Sequence, residues 1–166
     1  MPPGNKFEFT IEFENLAPVE LGALLWSLEM DGRGYHRLGF AKPLGLGSVQ
    51  MQVKMVQLLE PEQRYRSLTQ TGLQECSRGQ WQPWVDEFKR ALAALYGARD
   101  FEGLDNVRDL RALLGEPTVG LPVHYPRDPD GRGQGENFRW FMQNRRSGRH
   151  ALPVPTEELN GLPYRP

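Results

Sequence analysis

Residues His36-Arg37-Leu38-Gly39-Phe40-Ala41-Lys42-Pro43-Leu44-Gly45-Leu46-Gly47-Ser48-Val49 set the strongest limit on what this chain can fold into. Glycines at 39, 45 and 47 surround one lysine, and period-two alternation starts directly afterwards. Glycine is used where a backbone takes positive φ or where another chain comes close. The run therefore reads as a loop delivering the chain into a strand. Successive exposed N–H groups in such a loop form a concavity for anions, and Lys42 adds a point charge. This composition points to contact with a phosphate backbone.

On either side the periodicity is regular. Phe7, Phe9, Ile11 and Phe13 alternate with Glu8, Thr10, Glu12 and Glu14, which predicts a strand over 6–14. Pro18 suits a first helical turn, and Leu21, Leu24, Leu25 and Leu28 follow at helical spacing, so 18–30 reads as an amphipathic helix. Asp31-Gly32-Arg33-Gly34 ends it. After the loop, Val49, Met51, Val53 and Met55 alternate with polar residues in a second strand that extends to Leu59. Residues 62–79 are polar and ambiguous, with a helical turn around Arg64–Leu68. Trp81, Trp84, Val85, Phe88, Leu92 and Leu95 line one face of a helix over 81–96, and a shorter helix covers 104–114. Val119–Tyr125 reads as an edge strand because of Pro122, 127–135 as a loop, and 136–146 as a helix or anchoring turn. The proline-bearing tail from Ala151 reads as extended.

These elements predict an α+β chain in three parts. They are a half-domain carrying the glycine-rich loop over 1–60, a helical extension over 61–126, and a flexible loop, aromatic helix and extended tail over 127–166. Gly and Pro number 18 and 14 among 166 residues, which predicts many loops.

The formal net charge is −1, so bulk charge does not mark a nucleic-acid binder; its distribution is more informative. Residues 1–30 set Lys6 against Glu8, Glu12, Glu14, Glu20 and Glu29. Residues 31–54 set Arg33, Arg37, Lys42 and Lys54 against Asp31 alone. A second basic stretch, 127–150, has six arginines against three acids. Two basic regions in a neutral chain suit a focused groove. One cysteine, Cys76, excludes an internal disulfide framework and a cysteine-rich zinc site. His124 and His150 have no partners at ligand spacing, so no metal and no cofactor is expected. No apolar run approaches the ~20 residues that span a bilayer. Met1-Pro2-Pro3-Gly4 lacks the order of a signal peptide, so a cytoplasmic protein without membrane contact is expected.

Strand 6–14, helix 18–30, loop 36–48 and strand 49–59, in that order, resemble the second half of a ferredoxin-like RNA-binding domain. The Lys42-Pro43-Leu44-Gly45-Leu46-Gly47 loop resembles the glycine-rich motif of the CRISPR-associated RAMP superfamily. The likeness extends to the helix Pro18–Trp26 and, more loosely, to 136–163, where Phe138-Arg139-Trp140-Phe141 stands. It implies a partial or complete ferredoxin-like fold in an RNA-binding subunit of a type III-like antiviral ribonucleoprotein. The partners it implies are CRISPR RNA and other subunits of the effector complex. The implied RNA contacts are Arg37, Gly39, Lys42, Gly45, Gly47 and Ser48, with Arg33 as a secondary contact. The chain departs from the βαββαβ pattern, because only the latter β–α–loop–β is evident. Two other readings stand beside this one. One is a structural subunit that contacts proteins rather than RNA. The other is a metal-independent endoribonuclease using His36, whose imidazole suits cleavage through a 2′-hydroxyl.

Overall fold

A computed structural model describes residues 4–42, 46–115 and 136–146. Its elements are helix α1 (Pro18–Glu29), strand β1 (His36–Arg37), strand β2 (Ser48–Val49), strand β3 (Val56–Leu59), helix α2 (Pro61–Arg66), strand β4 (Leu73–Cys76), helix α3 (Arg78–Leu95), helix α4 (Asp105–Leu114) and helix α5 (Glu136–Arg146). The described residues are thus mixed helix and sheet, with two small antiparallel sheets, β1–β2 and β3–β4.

Local chemistry sets the helix ends. Pro18 occupies the first turn of α1, where its missing N–H costs nothing, and the Ala17 N–H donates to Glu20 Oε2 at 2.7 Å. Ser77 precedes α3 in extended backbone, and its N–H donates to Gln80 Oε1 at 2.8 Å, half of a capping box. That cap starts α3 three residues earlier than its aromatic stripe alone predicts.

The core lies where α1 packs on α3, with α4 and β3 closing it. Leu21, Leu25 and Trp26 of α1 meet Trp81 and Val85 of α3, Val56 of β3, Phe101, and Leu104 and Val107 at the start of α4. The Trp26 and Phe101 rings meet edge to face at 4.9 Å, and Phe88 closes the trio at 5.7 Å from Phe101. Gly22 sits on the face of α1 that touches α3: an added Cβ would lie 2.0 Å from Trp84 O.

Two strand expectations are corrected. Residues 6–14 form no strand, and Phe7, Phe9, Ile11 and Phe13 are exposed. The alternation encodes a two-faced ribbon, but a ribbon becomes a strand only beside another backbone. The strand expected over 49–59 is broken. Val49 ends β2 and Val56 begins β3, while at Val53 between them the N–H donates to the buried Glu29 carboxylate at 2.9 Å instead of to a neighbouring strand. The ambiguous region 62–79 yields α2 and β4, and β4 pairs Cys76 with Val56 and Leu73 with Leu59. The expected edge strand 119–125, loop 127–135 and tail from 151 lie outside the described residues.

Beyond α1 the chain reverses through Met30, Asp31 and Gly32, all at positive φ. The turn aims the Asp31 carboxylate inward, where it accepts hydrogen bonds from Lys89 Nζ (2.6 Å), Arg111 Nη2 (2.8 Å) and Trp26 Nε1 (3.0 Å). One carboxylate thereby ties the end of α1 to α3 and α4. Burial works to raise its pKa, but the hydrogen bonds from Lys89 and Trp26, the Lys89 charge and the Arg111 hydrogen bond outweigh burial and lower it. A carboxylate with a lowered folded pKa stabilises the fold above its unfolded value of roughly 4, and that contribution is lost as pH falls through the folded value. Thermal unfolding followed from pH 7 downward should therefore show stability falling below about pH 4. Asp31→Asn should cost about 1–2 kcal/mol at neutral pH, less than a fully buried pair because the site is partly solvated. It should also flatten the acid limb. An unchanged acid limb would contradict the assignment.

Candidate nucleic-acid interface

β1 and β2 form the base of a hairpin whose tip is the glycine-rich loop. His36 lies opposite Val49 and Arg37 opposite Ser48, and beyond them the Leu38 N–H donates to Gly47 O at 2.9 Å. Gly39 and Gly47 have φ of +96° and +71°, the left-handed backbone that the sequence reserved for glycine. At Gly47 the need is steric as well, since a Cβ would stand 1.8 Å from Leu38 O. Gly47→Ala should therefore break the hairpin's closing hydrogen bond. Amide exchange should show loss of protection at Leu38, with a stability cost of about 2 kcal/mol. Retained protection there would contradict a steric role for Gly47.

The base is anchored to the body of the protein. His36 Nε2 lies 2.9 Å from Leu28 O; a carbonyl only accepts, so Nε2 carries the proton and the ring caps the end of α1. The Tyr35 N–H donates to Leu114 O at 2.6 Å, joining the hairpin to the end of α4. Arg37 Nη1 donates to Ser48 Oγ across the hairpin, and Nη2 reaches Gly115 O at 3.5 Å. Arg37 and Ser48, both expected as RNA contacts, are thus side by side.

From this base the tip projects into solvent. Leu38, Gly39, Phe40, Lys42, Leu46 and Gly47 are all exposed. The N–H groups of Gly39, Phe40 and Ala41 donate to no described residue. Lys42 has no carboxylate within ion-pair distance among the described residues. Gly45 lies outside the described residues. Phe40, which sequence reasoning passed over, has its ring fully in water at 101% relative exposure. The available signal was an aromatic placed between a turn glycine and the loop lysine. Arg33 is exposed on the turn leading into β1, and Gln50 beyond β2 donates to Gly32 O at 3.0 Å, fastening that turn to the hairpin.

Chemically, this tip offers amide donors, an ammonium with no ion-pair partner among the described residues and an aromatic face, and it offers no carboxylate in the described part of the loop. That set suits a polyanion carrying stackable rings. No group of three His, Cys, Asp or Glu placed to hold a metal ion occurs among the described residues. No helix among them is long and apolar enough to cross a membrane. A shallow concavity of about 370 Å³ lies elsewhere, lined by Lys54, Glu75, Ser77, Arg78 and Trp81 among others, and no loop residue borders it. No protein-family model and no curated protein matches this chain.

Proposed function

We propose that this chain is an RNA-binding subunit of a CRISPR type III-like ribonucleoprotein in antiviral defence. In this reading the glycine-rich hairpin holds the guide RNA by its sugar-phosphate backbone. The observation that carries the reading is the solvent-exposed tip, where Lys42 has no described acidic partner and the amides of Gly39–Ala41 are without described acceptors. Lys42 and these amides take phosphate oxygens, Arg37 supports them from the hairpin base, and Phe40 stacks on a base. Contacts of this kind hold RNA with little regard to sequence. A ferredoxin-like fold belongs to the same proposal, and it requires residues 6–14, which form no strand here, to become one by pairing.

Fluorescence anisotropy with two unrelated single-stranded RNAs tests it. Both should bind with similar affinity, and Lys42→Glu should weaken both about tenfold, since it removes one phosphate contact and adds a repulsion. Equal affinity of the wild type and the variant would overturn the assignment.

The reading as a structural subunit draws support from a different observation, the exposed apolar row Phe7, Phe9, Ile11 and Phe13. Those side chains mark a protein contact rather than a nucleic-acid one, and they are compatible with RNA held at the hairpin.

A further inference from the structure

Residues 6–14 place four large apolar side chains in water along one row. Phe7 is 68% and Phe9 63% exposed. No backbone N–H or C=O in this stretch bonds to another described backbone group. On the opposite row, Glu8 pairs with Lys54, while Lys6, Glu12 and Glu14 have no ion-pair partner among the described residues. Among the described residues the stretch thus leaves its backbone groups, its apolar row and the charges at both ends without partners.

Its sequence also reads as its own complement. Taken antiparallel against itself about Thr10, Phe7 falls opposite Phe13, Phe9 opposite Ile11, and Lys6 opposite Glu14. We propose that two copies of this chain associate through residues 6–14, paired antiparallel about a two-fold axis at Thr10. The interface is isologous, so each favourable pair occurs twice. Four apolar cross-strand pairs cover the exposed row, and two Lys6–Glu14 pairs close the ends. The unfavourable opposition of Glu8 with Glu12 also occurs twice, and it is partly offset by Lys54, which pairs with Glu8.

Each competing register loses apolar pairs or adds like-charge oppositions. A one-residue slip sets apolar side chains against charged ones. Parallel pairing in register sets Lys6 on Lys6 and each glutamate on itself, four like-charge oppositions. A two-residue slip that centres on Phe9 sets Lys6 on Glu12 and removes the glutamate opposition, but it leaves Phe13 against Asn5 and loses an apolar pair. Charge favours an antiparallel second copy over a parallel one, and the apolar pattern favours the Thr10-centred register. This proposal is independent of RNA binding, because the residues it uses are not those of the hairpin.

Sedimentation of the full chain over a concentration series provides the first test, with a monomer–dimer equilibrium expected. Lys6→Glu should weaken the dimer about tenfold by turning both end pairs repulsive, and Lys6→Glu combined with Glu14→Lys should restore it. The register is read by cysteine cross-linking in a Cys76→Ser background. Directly opposed residues have Cα atoms about 4.5–5.5 Å apart, within disulfide range, so Thr10→Cys should oxidise to a covalent dimer and Phe9→Cys should not. A chain that stays monomeric at every concentration overturns the proposal. So does a dimer indifferent to Lys6→Glu, cross-linking at Phe9→Cys instead of Thr10→Cys, or a chain that pairs this stretch only with a strand of a different protein.

Discussion

Gly22→Ala should destabilise the protein by about 2–3 kcal/mol and lower the midpoint of thermal unfolding by about 6–10 °C. The sign is informative because helix propensity argues the other way. Alanine in place of an interior helical glycine is worth up to about 1 kcal/mol of stabilisation. Here the new Cβ would stand 2.0 Å from Trp84 O and 2.4 Å from Trp84 C, both backbone atoms of α3. A flexible side chain could turn aside, but a helix backbone has to translate. Separating α1 from α3 also loosens Leu21, Leu25, Trp81 and Val85, the centre of the core. The packing loss therefore exceeds the propensity gain. A stabilised Gly22→Ala variant would mean that the two helices do not approach this closely.

Glu29→Ala should cost about 2–3 kcal/mol, for a different reason. Glu29 is the buried charged residue among those described, at 7% relative exposure. One carboxylate oxygen accepts from Arg78 Nη2 at 2.8 Å and the other from the Val53 N–H at 2.9 Å. Arg78 is largely solvated and recovers water when its partner goes, so the ion pair supplies little of the loss. The Val53 amide is the costly member, since nothing else described accepts from it. Glu29→Gln keeps an acceptor for that amide and should lose only about 1 kcal/mol. Amide exchange at Val53 should rise strongly in Glu29→Ala and little in Glu29→Gln. Equal losses in the two variants would show that charge, not amide satisfaction, is what Glu29 provides.

How far the fold could be read from the sequence follows from what each signal encodes. Helical spacing of Leu21, Leu24, Leu25 and Leu28 marked α1, and the stripe from Trp81 to Leu95 marked α3, because an amphipathic helix satisfies its own backbone and carries its pattern alone. Strand patterns lack that independence. The Phe7–Phe13 alternation is as regular as any in the chain, yet it has no partner among the described residues and remains unpaired. β4 had the reverse problem. Leu73–Cys76 has little alternation and is held by its register with β3 and by the tight turn at Gly72, where an added Cβ would strike Arg64.

At the hairpin, the glycines at 39 and 47 declared their positive φ directly. The opposition of Arg37 to Ser48, the capping of Leu28 O by His36 and the exposure of Phe40 depend on chain reversal and on contacts distant in sequence. The Asp31 hub was equally hidden, as its partners Lys89 and Arg111 come from helices 58 and 80 residues away.

The central claim, that the tip around Lys42 holds a ribose-phosphate backbone, meets its most direct test in the salt dependence of RNA affinity. Each phosphate contact with single-stranded nucleic acid contributes roughly 0.7 to the slope of log affinity against log salt. Lys42→Glu should bind more weakly at low salt and lose about that much slope, so the two curves converge as salt rises. Parallel or superimposed curves would contradict the account.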